Sequence, residues 1–381
     1  MTNTANPLAA LTELGQSVWL DYIRRGILDN GELERMIRES YLRGVTSNPA
    51  IFEQAIARSD DYDDELELLS AEGAEALEVY ETLAISDIQR AADLFRGVYD
   101  AANGGDGFVS LEVSPELAHD TAATLEEARR LWATVARPNV MIKVPGTDEG
   151  LPVVEQLIAE GVNVNITLLF SLEGYEKVME AYLRGLERRA ADGHPLDHVA
   201  SVASFFVSRV DTAVDKLLED RLVGARDDAE RQRIRGLFGK AAVANAKLAY
   251  LRFQEVFGSE RFARLRERGA LVQRPLWAST STKNPEYRDV IYVEELIGPD
   301  TVNTMPLATV EAFADHGVAR RTVDEDVEGA KQVIADIEEL GIDFPEVTRQ
   351  LQLEGVEKFV DPFRHMLRKI EEKLTEVAGR G

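Results

Sequence analysis

Asn139 to Phe170 reads N-V-M-I-K-V-P-G-T-D-E-G-L-P-V-V-E-Q-L-I-A-E-G-V-N-V-N-I-T-L-L-F. Its first residues are strand-like and stop at the turn signal Pro145-Gly146. From about Glu149, Leu151, Val154, Leu157 and Ile158 recur at helical spacing, and Gly161 is placed to end that helix. Val162 to Phe170 is then a second strand, so the stretch is one strand–helix–strand unit. Fully buried parallel strands read as nearly continuous apolar runs. Here Asn163, Asn165 and Thr167 alternate with Val162, Val164, Ile166 and Leu168. In the first strand Met141, Lys143 and Pro145 share the face opposite Val140, Ile142 and Val144. Lys143 has two readings. It could sit on an edge strand, reach water and block edge pairing. Or it is a nucleophile, because burial disfavours a charged amine and the neutral form attacks a carbonyl to give a Schiff base.

The same pattern extends in both directions. Upstream, Ser17 to Asp21 (S-V-W-L-D), Gly44 to Asn48 (G-V-T-S-N) and Phe108 to Ser114 (F-V-S-L-E-V-S) are strands; downstream, Val199 to Val207, Arg274 to Thr280 and Thr301 to Met305 are strands. Ser17, Trp19 and Asp21 oppose Val18 and Leu20, Thr46 and Asn48 oppose Val45, and Ser110, Glu112 and Ser114 oppose Val109, Leu111 and Val113. Helices are expected within Gly31 to Tyr41, after Pro115, over Leu172 to Ala191, over Arg209 to Leu222, within 226–268 and over Tyr287 to Ile297. Residues 50–100 read as mostly helical, the acidic run from Asp60 to Glu67 being a solvated helix start and not a metal site.

Eight strands alternating with helices fit a parallel (β/α)8 barrel or an open doubly wound sheet, and the number favours the barrel. Antiparallel strands with one wet face would also alternate, but that face collects Lys, Glu and Arg, whereas this one is mostly Asn, Ser and Thr. The fold class read here is α/β, a (β/α)8 TIM-type barrel with additional helices. It is expected to form a single catalytic domain over 1–381, with barrel strands within about 17–305 and a helical C-terminal segment over 306–381. Each buried polar group left unpaired would cost about 1–3 kcal/mol, so the interior must bond to itself, to water or to a ligand. Barrel active sites gather at the carboxyl ends of the strands. Lys143, Glu112, Asp21, Asn48, Asn165 and Thr167 would converge there.

The bulk composition narrows the function. A formal net charge of −25 over 381 residues argues against unspecific binding to nucleic acid or an anionic membrane. Cysteine is absent, which excludes disulfides and thiolate metal sites. The start, M-T-N-T-A-N-P-L-A-A, has neither a basic region nor a long apolar run, and no stretch approaches about twenty uninterrupted apolar residues. A cytoplasmic protein is expected. No strand leads into G-x-G-x-x-G or G-x-x-x-x-G-K-[ST].

Five segments taken together resemble the transaldolases: G-V-T-S-N-P at 44–49, V-S-L-E-V at 109–113, M-I-K-V-P at 141–145, N-I-T-L-L-F at 165–170 and S-F-F-V-S-R at 204–209. That family is similar to class I aldolases. The resemblance implies a (β/α)8 enzyme with no metal or organic cofactor that moves a dihydroxyacetone unit between sugar phosphates through a lysine Schiff base. It would run from sedoheptulose 7-phosphate to glyceraldehyde 3-phosphate, giving erythrose 4-phosphate and fructose 6-phosphate in the pentose phosphate pathway. Lys143 falls on the Schiff-base lysine and Asp21 on the carboxylate that takes the C4 hydroxyl proton. Glu112 and Thr167 fall on the pair that holds a catalytic water. Asn48 and Asn165 match amides on the donor hydroxyls, and Ser204 matches a residue near its terminal hydroxyl. Arg209 matches a phosphate-binding arginine, unless it pairs with Asp211 or Asp215.

Strand seven departs from the commoner A-S-F-R pattern of the family. It reads A-S-T-S-T-K-N-P over Ala278 to Pro285, with Lys283 in the arginine's place. Lysine binds phosphate as a point charge without the bidentate fork. The length and the helical insertions resemble the longer bacterial branch. Two rivals are an aldolase releasing free dihydroxyacetone and a non-catalytic sugar-phosphate-binding barrel; Glu112 with Thr167 disfavours the first, and the set Lys143, Glu112, Asp21 the second. Monomer and homodimer both remain open.

Overall fold

Eight parallel strands close on themselves in chain order in the computed structural model, which describes residues 6–378. Residues 1–5, where the stretch read for a targeting signal begins, lie outside the described residues. The first half runs α1 (Pro7–Glu13), β1 (Gln16–Leu20), α2 (Arg25–Asp29), α3 (Glu32–Glu39), β2 (Leu42–Val45), α4 (Pro49–Ala57), α5 (Asp63–Ala71), α6 (Ala76–Ala101), β3 (Phe108–Glu112), α7 (Thr121–Val135), β4 (Val140–Pro145), α8 (Gly150–Glu160) and β5 (Val164–Leu169). The second continues α9 (Leu172–Ala191), β6 (Ser201–Phe206), α10 (Ser208–Val223), α11 (Asp228–Arg235), α12 (Ala241–Phe257), α13 (Glu260–Arg266), β7 (Gln273–Ala278), α14 (Ile291–Glu294), β8 (Thr301–Met305), α15 (Leu307–His316), α16 (Val327–Glu339) and α17 (Phe344–Ala378). This is a (β/α)8 barrel with additional helices, including a helical C-terminal segment. No helix among the described residues is long and apolar enough to cross a membrane.

Several element boundaries differ from the sequence reading, each for a local reason. Strand two ends at Val45 because Asn48 accepts the Ile51 amide at 3.0 Å and caps α4, with Pro49 as its first residue. Pro115 opens only a short 3-10 turn over Pro115–Leu117; the long helix starts at Thr121, where the Asp120 carboxylate accepts from the Ala123 amide at 3.0 Å. The helix expected over Tyr287 to Ile297 shrinks to Ile291–Glu294. Residues 317–326, expected to be helical, are not. The acidic run starts α5 as expected, with Asp60, Asp63, Asp64 and Glu67 exposed, while the half-buried Asp61 pairs with Arg24 and Glu65 with Arg25.

The polar strand faces form layers inside the barrel. At the amino end Asp106 accepts from Ser17 Oγ and from Trp19 Nε1 (3.0 Å), while Arg274 reaches across from β7 to Ser17 Oγ (2.7 Å) and Asp106 (3.3 Å). One layer higher, Asn165 donates to Ser110 Oγ (3.0 Å) and accepts from Ser204 Oγ (2.7 Å), tying β3, β5 and β6 together. The uppermost layer carries Asp21, Glu112 and Lys143.

The loop after Asp21 is anchored outside the barrel. Arg25 Nε lies 2.8 Å from the fully buried Asp87, whose other oxygen accepts from Tyr62 at 2.7 Å. Removing one partner of a buried pair strands the other charge. Arg25→Ala is expected to lower the unfolding free energy by about 3 kcal/mol in urea titrations, with Asp87→Asn added to it recovering part of the loss. A loss below about 1 kcal/mol would mean that the pair behaves as a surface contact.

Candidate active site

Register sets the centre of the site. In the β3–β4 ladder Glu112 lies opposite Lys143, and in the β4–β5 ladder Lys143 lies opposite Asn165 and Pro145 opposite Thr167. The Lys143 amine therefore sits 3.1 Å from Glu112 Oε2, and it donates to the Ser47 carbonyl at 3.0 Å. Lys143 is 4% exposed and Glu112 6%. The strand is internal, which removes the edge-strand reading of this lysine. Burial pushes the Glu112 carboxyl above its ordinary range; the Lys143 charge and hydrogen bond pull it down, and Asp21 pushes it further up.

Asp21 follows the end of β1, with its amide on the Met305 carbonyl at 2.8 Å. Thr46 Oγ1 donates to its carboxylate at 2.7 Å and lies 2.6 Å from Thr304 Oγ1, so a hydroxyl chain from β8 orients it. Burial raises the Asp21 carboxyl, opposed by the positive charge of Lys143, the Thr46 hydrogen bond, Lys283 and Arg209. The Lys143 amine is the neighbour of Glu112 Oε2, while Glu112 Oε1 and Thr167 Oγ1 are buried without a hydrogen-bond partner on the protein. Such groups are rare in folded proteins and call for a polar guest. Asn48 is half-buried, and its capping bond uses the amide oxygen, leaving the NH2 group free of that bond.

The two cations assigned to phosphate have different surroundings. Arg209 makes no ion pair among the described residues: Asp211 accepts from Ala242 N and Tyr292 OH at 2.7 Å each, and Asp215 accepts from Gly239 N (3.0 Å) and Tyr287 OH (2.6 Å). The alternative of a structural pair with either aspartate is thereby removed. Arg209 Nη1 is buried without a partner, and the guanidinium lies 5.2 Å from the Phe206 ring centroid. Burial lowers the Arg209 pKa; Asp21 and Glu354 act the other way. Lys283 is exposed overall and donates to Ser281 Oγ at 2.8 Å. Partial burial of its amine and then the like charge of Arg209 lower its pKa.

The sequence reading missed what covers this mouth. α17 crosses it: Gln352 donates to the carbonyls of Gly146 (2.9 Å) and Leu168 (3.2 Å), and the Phe359 ring centroid stands 5.5 Å from the Lys143 amine. Ser47 entered only within a motif and Thr46 only as an inward-facing strand position, although one binds the amine and the other the aspartate. A 600 Å³ cleft beside the site, lined by Ser171, Lys177, Asn245, Arg349 and Gln352 among others, contains none of Lys143, Glu112 and Asp21. Among the described residues no group of three or more His, Asp and Glu side chains is arranged to hold a metal ion.

A closed (β/α)8 barrel defines the class, one with a buried amine set among acid and hydroxyl groups at the carboxyl ends of its strands. The family model described as Transaldolase/Fructose-6-phosphate aldolase matches residues 18–370, and the chain belongs to that family. Curated relatives extend over nearly the whole chain. "Transaldolase" of Trichodesmium erythraeum is 45% identical, covering 98% of each chain. "Transaldolase 2" of Nostoc punctiforme is 47% identical over 97% of this chain and 98% of its own. "Transaldolase" of Saccharopolyspora erythraea is 48% identical over 99% of this chain and 100% of its own.

Proposed function

We propose that this chain carries a dihydroxyacetone unit on Lys143 as a Schiff base and passes it from a ketose phosphate to an aldose phosphate. The activity is that of a transaldolase, the name shared by full-length relatives at 45–48% identity. The single observation that carries the residue assignment is the Lys143 amine, buried and 3.1 Å from Glu112. Forming the imine expels water and shuttles protons, and a carboxyl raised by burial is suited to exchange them. In this reading Glu112 and Thr167 hold the water, through the unpartnered Glu112 Oε1 and the unpartnered Thr167 hydroxyl. Asp21 takes the C4 hydroxyl proton as the C3–C4 bond breaks. Asn48, Asn165 and Ser204 hold hydroxyls of the donor.

Arg209 and Lys283 take the phosphate, which would bring together two cations that otherwise oppose one another. The helical segment after Met305 belongs to the same catalytic unit, because α17 packs against β5, α4, α6 and α10. The absence of cysteine suits a reducing compartment, in keeping with a cytoplasmic enzyme.

The test is incubation with fructose 6-phosphate and erythrose 4-phosphate. Formation of sedoheptulose 7-phosphate and glyceraldehyde 3-phosphate, dependent on both sugars, is expected. Acceptor-independent release of dihydroxyacetone as the main product would instead mark an aldolase, and no turnover would leave a binding barrel. Arg209→Ala is expected to raise KM for fructose 6-phosphate by about 10- to 100-fold, the loss of a charged hydrogen bond, with far less effect on kcat/KM for unphosphorylated fructose. An equal loss on both sugars would remove Arg209 from the phosphate site.

A further inference from the structure

We infer that Phe359 on α17 determines whether the three-carbon unit held on Lys143 is transferred or lost to water. The inference rests on the Schiff-base reading above and concerns a residue outside the barrel strands. Phe359 is 5% exposed, and its ring centroid stands 5.5 Å from the amine that also contacts Ser47 and Glu112.

Three contacts hold it there. Gln352 bonds the carbonyls at the ends of β4 and β5. Gly355, one turn before Phe359, lets the helix come down onto β5, since a Cβ there would stand 2.9 Å from Leu168 Cδ2. Glycine inside a helix costs about 1 kcal/mol against alanine, so close approach is a physical reason for its presence. One turn beyond, Phe363 packs edge-on against Tyr80 with centroids 5.5 Å apart. Residues 352, 355, 359 and 363 follow helical spacing, so one face of α17 makes all these contacts.

The chemistry gives the ring two effects. The iminium formed from Lys143 keeps a positive charge at the same nitrogen, and an aromatic face attracts such a cation most strongly where water is excluded. Once the donor's C3–C4 bond has broken, the enamine carbon can form a carbon–carbon bond with an aldehyde, whose oxygen takes a proton. If that carbon instead takes a proton delivered through water, the iminium returns, adds water, and the carbinolamine collapses to free dihydroxyacetone and the lysine amine. Excluding water from the amine side suppresses the second route.

The test uses the full chain and begins with borohydride trapping of the wild type by fructose 6-phosphate, which decides the Schiff-base reading separately. Phe359→Leu keeps an apolar side chain of similar reach, and Ile370→Ala on the same helix, far from the amine, controls for loosening of α17. The expected result is a roughly tenfold rise in dihydroxyacetone released per transfer event in Phe359→Leu, no comparable rise in Ile370→Ala, and a return towards wild type in Phe359→Tyr. An unchanged ratio in a Phe359→Leu protein with intact adduct formation, or an equal rise in Ile370→Ala, overturns the inference. If Phe359→Leu does not fold, Phe359→Tyr and Phe359→Met are compared on the same ratio, and equal ratios overturn it too.

Discussion

Replacing Lys143 by Ala is expected to remove the borohydride-trapped adduct and to lower transfer by at least about 10⁴-fold, since the covalent step is lost with its amine. The site is specific about this. The amine is fixed by the Ser47 carbonyl at 3.0 Å and Glu112 at 3.1 Å, so a nucleophile displaced by one bond length no longer meets both. Lys143→Arg should fail equally, because a guanidinium stays protonated and cannot form the imine. Lys143→Met tests the complement: it removes a buried charge while filling the same space, and it should fold with Glu112 now free of its cation. In that variant the Glu112 carboxyl loses the contacts that hold it down and moves further above its ordinary range. Peptide mapping of the trapped wild type places the adduct. Turnover in Lys143→Ala, or an adduct on another lysine, would defeat the assignment.

How much of this was readable beforehand follows from the physics of each element. Strand order and the polar interior were legible because a strand has a period of two, so Asn163, Asn165 and Thr167 could be assigned to one face without knowing any partner. Glu112 and Lys143 were legible as candidates because an ionisable group among inward-facing positions is rare. Their 3.1 Å contact was not, because it depends on the β3–β4 register. The floor of the barrel was missed since Asp106 lies in a glycine-rich turn and Arg274 at a strand start, where both look like surface charges; only closure brings them together. β5 is irregular at Leu168, whose positive φ of 63° breaks the alternation after Thr167, and nothing in N-I-T-L-L-F announces it. The C-terminal helices were visible as helices, but periodicity tells that a face is apolar and not what it covers, so Phe359 carried no signal above the other aromatics of α17.

Asp21→Asn is expected to separate the two halves of the reaction. Imine formation with dihydroxyacetone needs Lys143 and Glu112 but no proton from a C4 hydroxyl, so the trapped adduct should persist. Cleavage of fructose 6-phosphate does need that proton removed and should fall by about 10²- to 10⁴-fold, the usual contribution of a positioned base. The geometry supports the split: Asp21 sits on a different strand end from Lys143, oriented by Thr46 at 2.7 Å and Thr304 beyond it, while Glu112 is the carboxylate in contact with the amine. The pH dependence has a definite sign. Asp21 acts as base in its ionised form, and burial raises its pKa above the ordinary value of 3.8, so cleavage should rise with pH along an acid limb lying above that value. Thr46→Val removes one hydrogen bond that favours the ionised form, and should move the limb to still higher pH while sparing adduct formation. Burial also raises the Glu112 carboxyl and the Asp21 charge raises it further, so both carboxyls contribute to the limb in the wild type. The comparison of Thr46→Val with wild type isolates the Asp21 share, because Thr46 bonds only that carboxylate of the two. A limb that stays in place in Thr46→Val, or an Asp21→Asn enzyme that cleaves fructose 6-phosphate within tenfold of wild type, would assign the C4 proton to another group.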